Sequence, residues 1–295
     1  MAGYSGCSSK LTAGTISGGN CAQGTVCSIA TPSNLATTFN PDGIAAYSYT
    51  GTSGTALTDW TPNLPSFFSP GDVKAGTDVI FVQRASSLAT NITGNTVPNN
   101  ANVRVVSTSS VAGQIGAGDV LMVSDCKSAD VIRVTNQPTG TPLTITHSSS
   151  TNSQNTLTHA YGDDAEVMKL ISRVYYIRVN ANGEPALARR ELRTAGVLEP
   201  AEDLVDGIEE MRLTFGEDLD TPADNVPNIY RTANNVSSWS KVVSVRVALL
   251  ARTLTNVDQA ADTRTYSYDN ASQTIDPVDN KHRRQFYLST IQVRN

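Results

Sequence analysis

The clearest pattern in this chain is apolar residues recurring at every second position. In KHRRQFYLSTIQVRN (281–295), Phe286 and Leu288 fall on one side of an extended chain, and Tyr287, Ile291 and Val293 on the other. Neither side is polar, so both faces of the sheet this strand joins need a cover. KVVSVRVALLART (241–253) predicts a longer strand with Val243, Val245, Val247 and Leu249 on one face. SRVYYIRVN and EPALARREL (172–192) flank Asn182-Gly183, a pair suited to the positive φ of a hairpin turn. EPAEDLVDGIEEM (199–211) reads differently. Pro200, early acids and the spacing of Leu204, Ile208 and Met211 predict a short helix near 200–208 that feeds a strand at MRLTF (211–215).

The first half gives shorter signals. TDVIFVQRA (77–85) and ANVRVVSTS (101–109) are apolar runs between Gly, Pro and Asn. GDVLMVSDCKSADVIRVTN (118–136) predicts two strands joined at Asp125 to Ser128, and TPLTITH (141–147) is expected beside them. Residues 28–70 and 86–100 lack periodicity and read as loops. A helix set among successive strands is not the alternation of a doubly wound sheet. The expected fold is α+β and strand-dominated, with antiparallel sheets and one short helix.

Charge divides the chain. Residues 1–118 hold only eight Asp, Glu, Lys or Arg, and no Glu, whereas residues 161–295 hold 36 of the 49. We therefore expect a charge-poor, β-rich region with long loops over 1–160, and an antiparallel sheet region carrying the short helix over 161–295. A net charge of −5 argues against nucleic acid as a partner. The basic run Lys281, His282, Arg283, Arg284 follows Asp276 and Asp279 and reads as a solvated stretch with local ion pairs.

Chemistry is sparse. His147, His159 and His282 form no ligand-spaced cluster, and no nucleophile elbow is present. SDCK (124–127) matches S-x-x-K but falls in a turn. GQIGAGD (113–119) precedes a strand instead of a helix, which suits a turn and not a phosphate cradle. Asp218, Asp220 and Asp224 are oxygen donors without the remaining positions of a calcium loop, so they read as an acidic loop. The sequons at Asn91, Asn235 and Asn270 matter only in a eukaryotic secretory pathway. No catalytic residue, cofactor site or metal site is expected, and the chain does not read as an enzyme. Cys7, Cys21, Cys27 and Cys126 form an even set without C-x-x-C, and we expect two disulfides in an oxidising compartment. A secreted character without an export signal suggests a domain cut from a longer precursor.

Six stretches together resemble the PilW family of type IV pilus minor pilins, related to the J-type minor pseudopilins of type II secretion. They are AGYSGC, GDVLMVSDCKSADVIRVTN, YYIRVNANGEPALARREL, LVDGIEEMRLTFG, VVSVRVALLART and HRRQFYLSTIQVRN, in the family's order. The resemblance implies a pilin-like globular head whose N-terminal hydrophobic helix is truncated here. That helix would anchor in the inner membrane, and its exposed half would cover one face of the sheet. The processing site and the family's helix glutamate lie outside this sequence, so no residue of that region is carried over.

The function implied is structural. A minor pilin would join other minor pilins, the major pilin and a tip adhesin in a pilus tip complex that primes assembly. Its head would face the periplasm at the inner membrane before assembly, then sit at the extracellular pilus tip. Contact with membrane is implied only through the absent helix. The alternative is a secreted β-rich adhesin or glycan-binding module. With the helix taken to end just before Cys7, the expected pairing is Cys7–Cys126 and Cys21–Cys27, pinning the helix exit to the head. Pairing of Cys7 with Cys21 or Cys27 is the rival, and it too tethers both regions.

Overall fold

The computed structural model describes residues 12–14, 16–17, 20–22, 25–28, 30, 43–94, 96, 100–108, 111–192, 199–269, 273–278 and 280–293. Eighteen strands run through them. The first nine are β1 (Thr12–Ala13), β2 (Thr25–Ser28), β3 (Ile44–Tyr49), β4 (Trp60–Thr61), β5 (Val79–Asn91), β6 (Asn102–Val105), β7 (Val120–Ser124), β8 (Ala129–Arg133) and β9 (Leu143–Thr146). The second nine are β10 (Glu166–Val179), β11 (Pro185–Leu192), β12 (Glu202–Asp206), β13 (Ile208–Glu217), β14 (Ile229–Arg231), β15 (Val242–Arg252), β16 (Tyr266–Asp269), β17 (Gln273–Ile275) and β18 (Arg284–Gln292).

The long strand β10 is the axis of the larger sheet. β5 pairs antiparallel along one side of it and leads on to β3 and β4. On the other side β7 takes residues 166–169 and β11 takes residues 172–179. β8, β2 and β1 continue beyond β7, and β12 lies beyond β11. The second sheet has the order β14-β13-β15-β18 and is antiparallel throughout.

Alternation decides which side chains meet. On β10, Val174 and Tyr176 face Trp60, Leu64, Phe68 and Val73, which roof one face of the larger sheet. Ile177 faces the opposite way and packs on Met211, Leu213 and Phe215 of β13, so the two sheets stack. Further along, β6 and β9 form a separate ladder, and Val103, Val105, Leu143 and Ile145 pack on Leu121, Ile132 and Val167. The far face of the second sheet is sealed by the chain itself. Ala248 and Leu250 pack against Tyr268 and Ile275, which belong to the polar excursion before β18.

Three expectations fail. Residues 202–206 form strand β12 in place of the short helix near 200–208. The early acids do not cap a helix; Asp203 pairs with Arg178 at 2.6 Å, and Glu202 pairs with Arg189. Gly207, at φ 79°, turns the chain from β12 into β13, and a Cβ there would meet the Arg252 carbonyl at 2.6 Å. Neither loop stretch is wholly a loop, since β3 lies within 28–70 and β5 reaches Asn91. Residues 143–146 pair with β6, not with the β7–β8 hairpin. That hairpin, the β10–β11 hairpin and the strand at 211–215 form as expected, and the strands expected at 241–253 and 285–294 are seen as β15 and β18.

Candidate docking groove

Where the stacked sheets part, an apolar groove of about 550 Å³ opens between them. One wall comes from the larger sheet, with Ile44 on β3, Ile80 and Val82 on β5, Tyr175 on β10 and Leu187 on β11. The other wall is the odd-numbered face of the second sheet, with Met211 and Leu213 on β13, Val245, Val247 and Leu249 on β15, and Ile291 on β18. These are the positions that alternation put on one face, because β15 pairs Val247 with Leu213 and Val245 with Ile291. Exposure rises across that wall. Leu213 is buried, Val247 and Leu249 are half-buried, and Ile291 is 56 % exposed. The sheets thus meet at β13 and diverge towards β18.

Asp78, just ahead of β5, holds the closed side. Its N–H donates to the Met211 carbonyl at 2.9 Å, and its carboxylate accepts from the Leu213 N–H and the Tyr49 N–H, both at 2.9 Å. One side chain therefore ties β3 and the larger sheet to β13. Burial pushes the Asp78 carboxyl up, and Arg212, with Nη1 at 3.7 Å, opposes that shift. Among the described residues, only Tyr175 and Gln292 bring polar side chains to the groove lining. Such a lining offers apolar contact area and no pair of groups for proton transfer.

The other residues singled out from sequence are scattered. His147 is buried, and burial lowers its pKa. His159 sits beside Asp130, its Nδ1 2.9 Å from Thr158 Oγ1, and the Asp130 carboxylate raises its pKa. His282 Nδ1 lies 2.7 Å from the Thr253 carbonyl. None of the three lines the groove. Sequence reading missed Asp130, which also accepts from the Tyr161 hydroxyl at 2.9 Å. An acid inside an apolar run (129–132) was the available signal.

SDCK is a turn. Asp125 accepts from the N–H groups of Lys127 and Ser128 at 2.9 and 2.8 Å. GQIGAGD is also a turn, with Gly113 and Gly118 at positive φ and Asp119 bonded to Lys169 at 2.8 Å. Asp218, Asp220 and Asp224 do converge, with carboxylate oxygens within 4.8 Å of one another. Asp218 is used locally, accepting from the N–H groups of Asp220 and Asn225 at 3.0 and 2.7 Å. The basic run is not the solvated stretch with local ion pairs that was expected, because its partners are acids distant in sequence and Arg284 is buried. Arg283 pairs with Asp258 at 2.9 Å, and Arg284 with Glu209 at 2.7 Å.

Cys21 and Cys27 are bonded, and Cys126 is disulfide-bonded. Cys7 lies outside the described residues. Among the described residues no helix is long and apolar enough to cross a membrane.

Comparison with curated proteins and with solved structures found no match. The family model described as Type IV Pilus-assembly protein W matches residues 174–295. The matched span begins within β10, runs through β18 and carries the whole second-sheet wall of the groove. That match supports assignment of residues 174–295 to the PilW family of type IV pilus-assembly proteins.

Proposed function

We propose that the protein is a minor pilin whose groove seats the exposed half of an N-terminal apolar helix. The observation that carries this reading is the second sheet of β13, β15 and β18, whose apolar groove face the described residues leave open while Tyr266, Tyr268 and Ile275 cover the other face. Contiguous apolar surface of this kind marks an interaction site. A helix lying along the groove would bury Val247, Leu249 and Ile291, which are only partly covered now. Residues lost from water there contribute about 25 cal/mol per Å² of apolar area.

In this reading the head sits on the periplasmic side of the inner membrane and then in the pilus tip. It works through surfaces, joining other minor pilins, the major pilin and a tip adhesin in a complex that primes assembly. A Cys7–Cys126 bond would fasten the helix exit to the β7–β8 turn.

The test uses the full-length precursor. Wild-type protein should co-purify with other minor pilins, and Val247→Asp should reduce that recovery at least about tenfold, equivalent to roughly 1.4 kcal/mol. Piliation should fall in the deletion strain. Recovery of no minor-pilin partner, together with normal piliation in the deletion strain, would overturn the proposal.

A further inference from the structure

We propose that the free edge of β18 pairs with the same edge of a second copy of this chain. The second sheet ends at β18, and no described strand lies beyond it. The Val293 N–H donates inward to the Val243 carbonyl at 2.8 Å, and Ile291 lies opposite Val245. Antiparallel alternation then turns the backbone groups of Phe286, Leu288, Thr290 and Gln292 outward. Gln285 Nε2 reaches the Phe286 carbonyl at 3.5 Å, and the remaining outward donors and acceptors along this exposed strand are a template for another strand.

Edge strands are ordinarily protected, and this one is not. Residues 285–293 contain no charged residue and no proline. Tyr287 is 56 % exposed and Leu288 50 %. The other edges differ: β12 carries Glu202, Asp203 and Asp206, while β4 and β14 are only two and three residues long. Charge and shortness blunt those edges.

Self-complementarity selects a second copy as the occupant. An antiparallel pair centred on Leu288 uses the outward-facing groups of both strands. It sets Leu288 against Leu288, Phe286 against Thr290, Tyr287 against Ser289 and Gln285 against Ile291. Each aromatic ring meets a small hydroxyl residue. Arg284 meets Gln292 and Arg283 meets Val293, so no like charges oppose each other. The result is one sheet continuous across a twofold axis. This inference rests on the backbone groups of the sheet edge, although Ile291, Gln292 and Val293 also line the groove.

The test is sedimentation of the chain with its disulfides intact. Such a contact is small, so the average mass should climb towards that of a dimer between about 10 µM and about 1 mM. Leu288→Lys, which sets two charges on the axis, should stay monomeric over that range with an unchanged melting curve. Among the described residues no cysteine is free, so an introduced cysteine reports register. Leu288→Cys should oxidise to a covalent dimer, since facing Cα atoms in a hydrogen-bonded antiparallel pair lie about 5.5 Å apart, within disulfide reach. Thr290→Cys should not, because its mate is Phe286. A wild-type chain monomeric throughout, or Thr290→Cys cross-linking as fast as Leu288→Cys, overturns the proposal. Should Leu288→Lys fail to fold, the two cysteine variants decide alone.

Discussion

Replacing Asp78 with alanine should loosen the joint between the two sheets more than any exposed substitution. Its carboxylate holds the Tyr49 and Leu213 N–H groups at 2.9 Å each, and Leu213 is only 1 % exposed. A main-chain donor left unpaired in the interior costs about 1–3 kcal/mol. Two give a gross cost of about 2–6 kcal/mol, reduced because the buried carboxylate itself is unfavourable. We expect a net loss of about 2–4 kcal/mol, read as a lower urea midpoint at unchanged slope. Asp78→Asn keeps one acceptor and should fall between wild type and alanine. The pH dependence has a definite sign. Burial raises the folded-state pKa above its ordinary 3.8. The folded chain therefore takes up this proton more readily than the unfolded chain, and the Asp78 contribution declines as pH rises from 3.8 through the folded value. That decline should vanish in Asp78→Ala. An alanine variant within about 0.5 kcal/mol of wild type, the range of an indifferent surface change, would refute the argument.

Asp262 behaves in the opposite way. Hydrogen bonds from Arg264, then from the Tyr266 hydroxyl, hold its carboxyl well below the usual range. Its contribution is present above the unfolded value of 3.8 and is lost as pH falls further, so Asp262→Asn should flatten acid unfolding below that pH; an unaltered acid limb would count against the network. His147 resists protonation because it is buried, so its contribution is full above pH 6.5 and drops as pH falls below it. The stability difference between wild type and His147→Gln should change with pH across that range, and a constant difference would remove His147 as the cause. Non-reducing peptide mapping should find Cys21 joined to Cys27 and Cys126 joined to Cys7, whereas a Cys126–Cys21 peptide would contradict the structure.

What could be read from sequence was what local pattern encodes. Ile291 and Val293, and Val245, Val247 and Leu249 on β15, line one groove as the strand's period of two predicts, whereas a bulge at Val243 puts Val242 with Val245 instead. Gly183, at φ 81°, marks the β10–β11 turn as expected. The failures share a cause, which is pairing between distant segments. Glu202 and Asp203 look like helix-start acids until Arg189 and Arg178 are known to lie across from them. Ser86 to Asn91 has no apolar rhythm and is extended because β10 lies alongside. The Asp78 clip depends on β3 and β13 meeting at one point, and nothing near residue 78 announces that.

The length of β10 has a mechanical consequence. Its residues 172–179 form eight register pairs with β11, and residues 166–175 run antiparallel beside β5. A pull directed along this strand loads both ladders in shear, so the bonds share the force and must yield together. The second sheet has a weak direction. β18 is held by one neighbour, and a pull across its ladder would peel it from β15 one bond at a time. A head loaded along β10 is therefore stiff, and the same head tugged sideways at β18 gives way gradually.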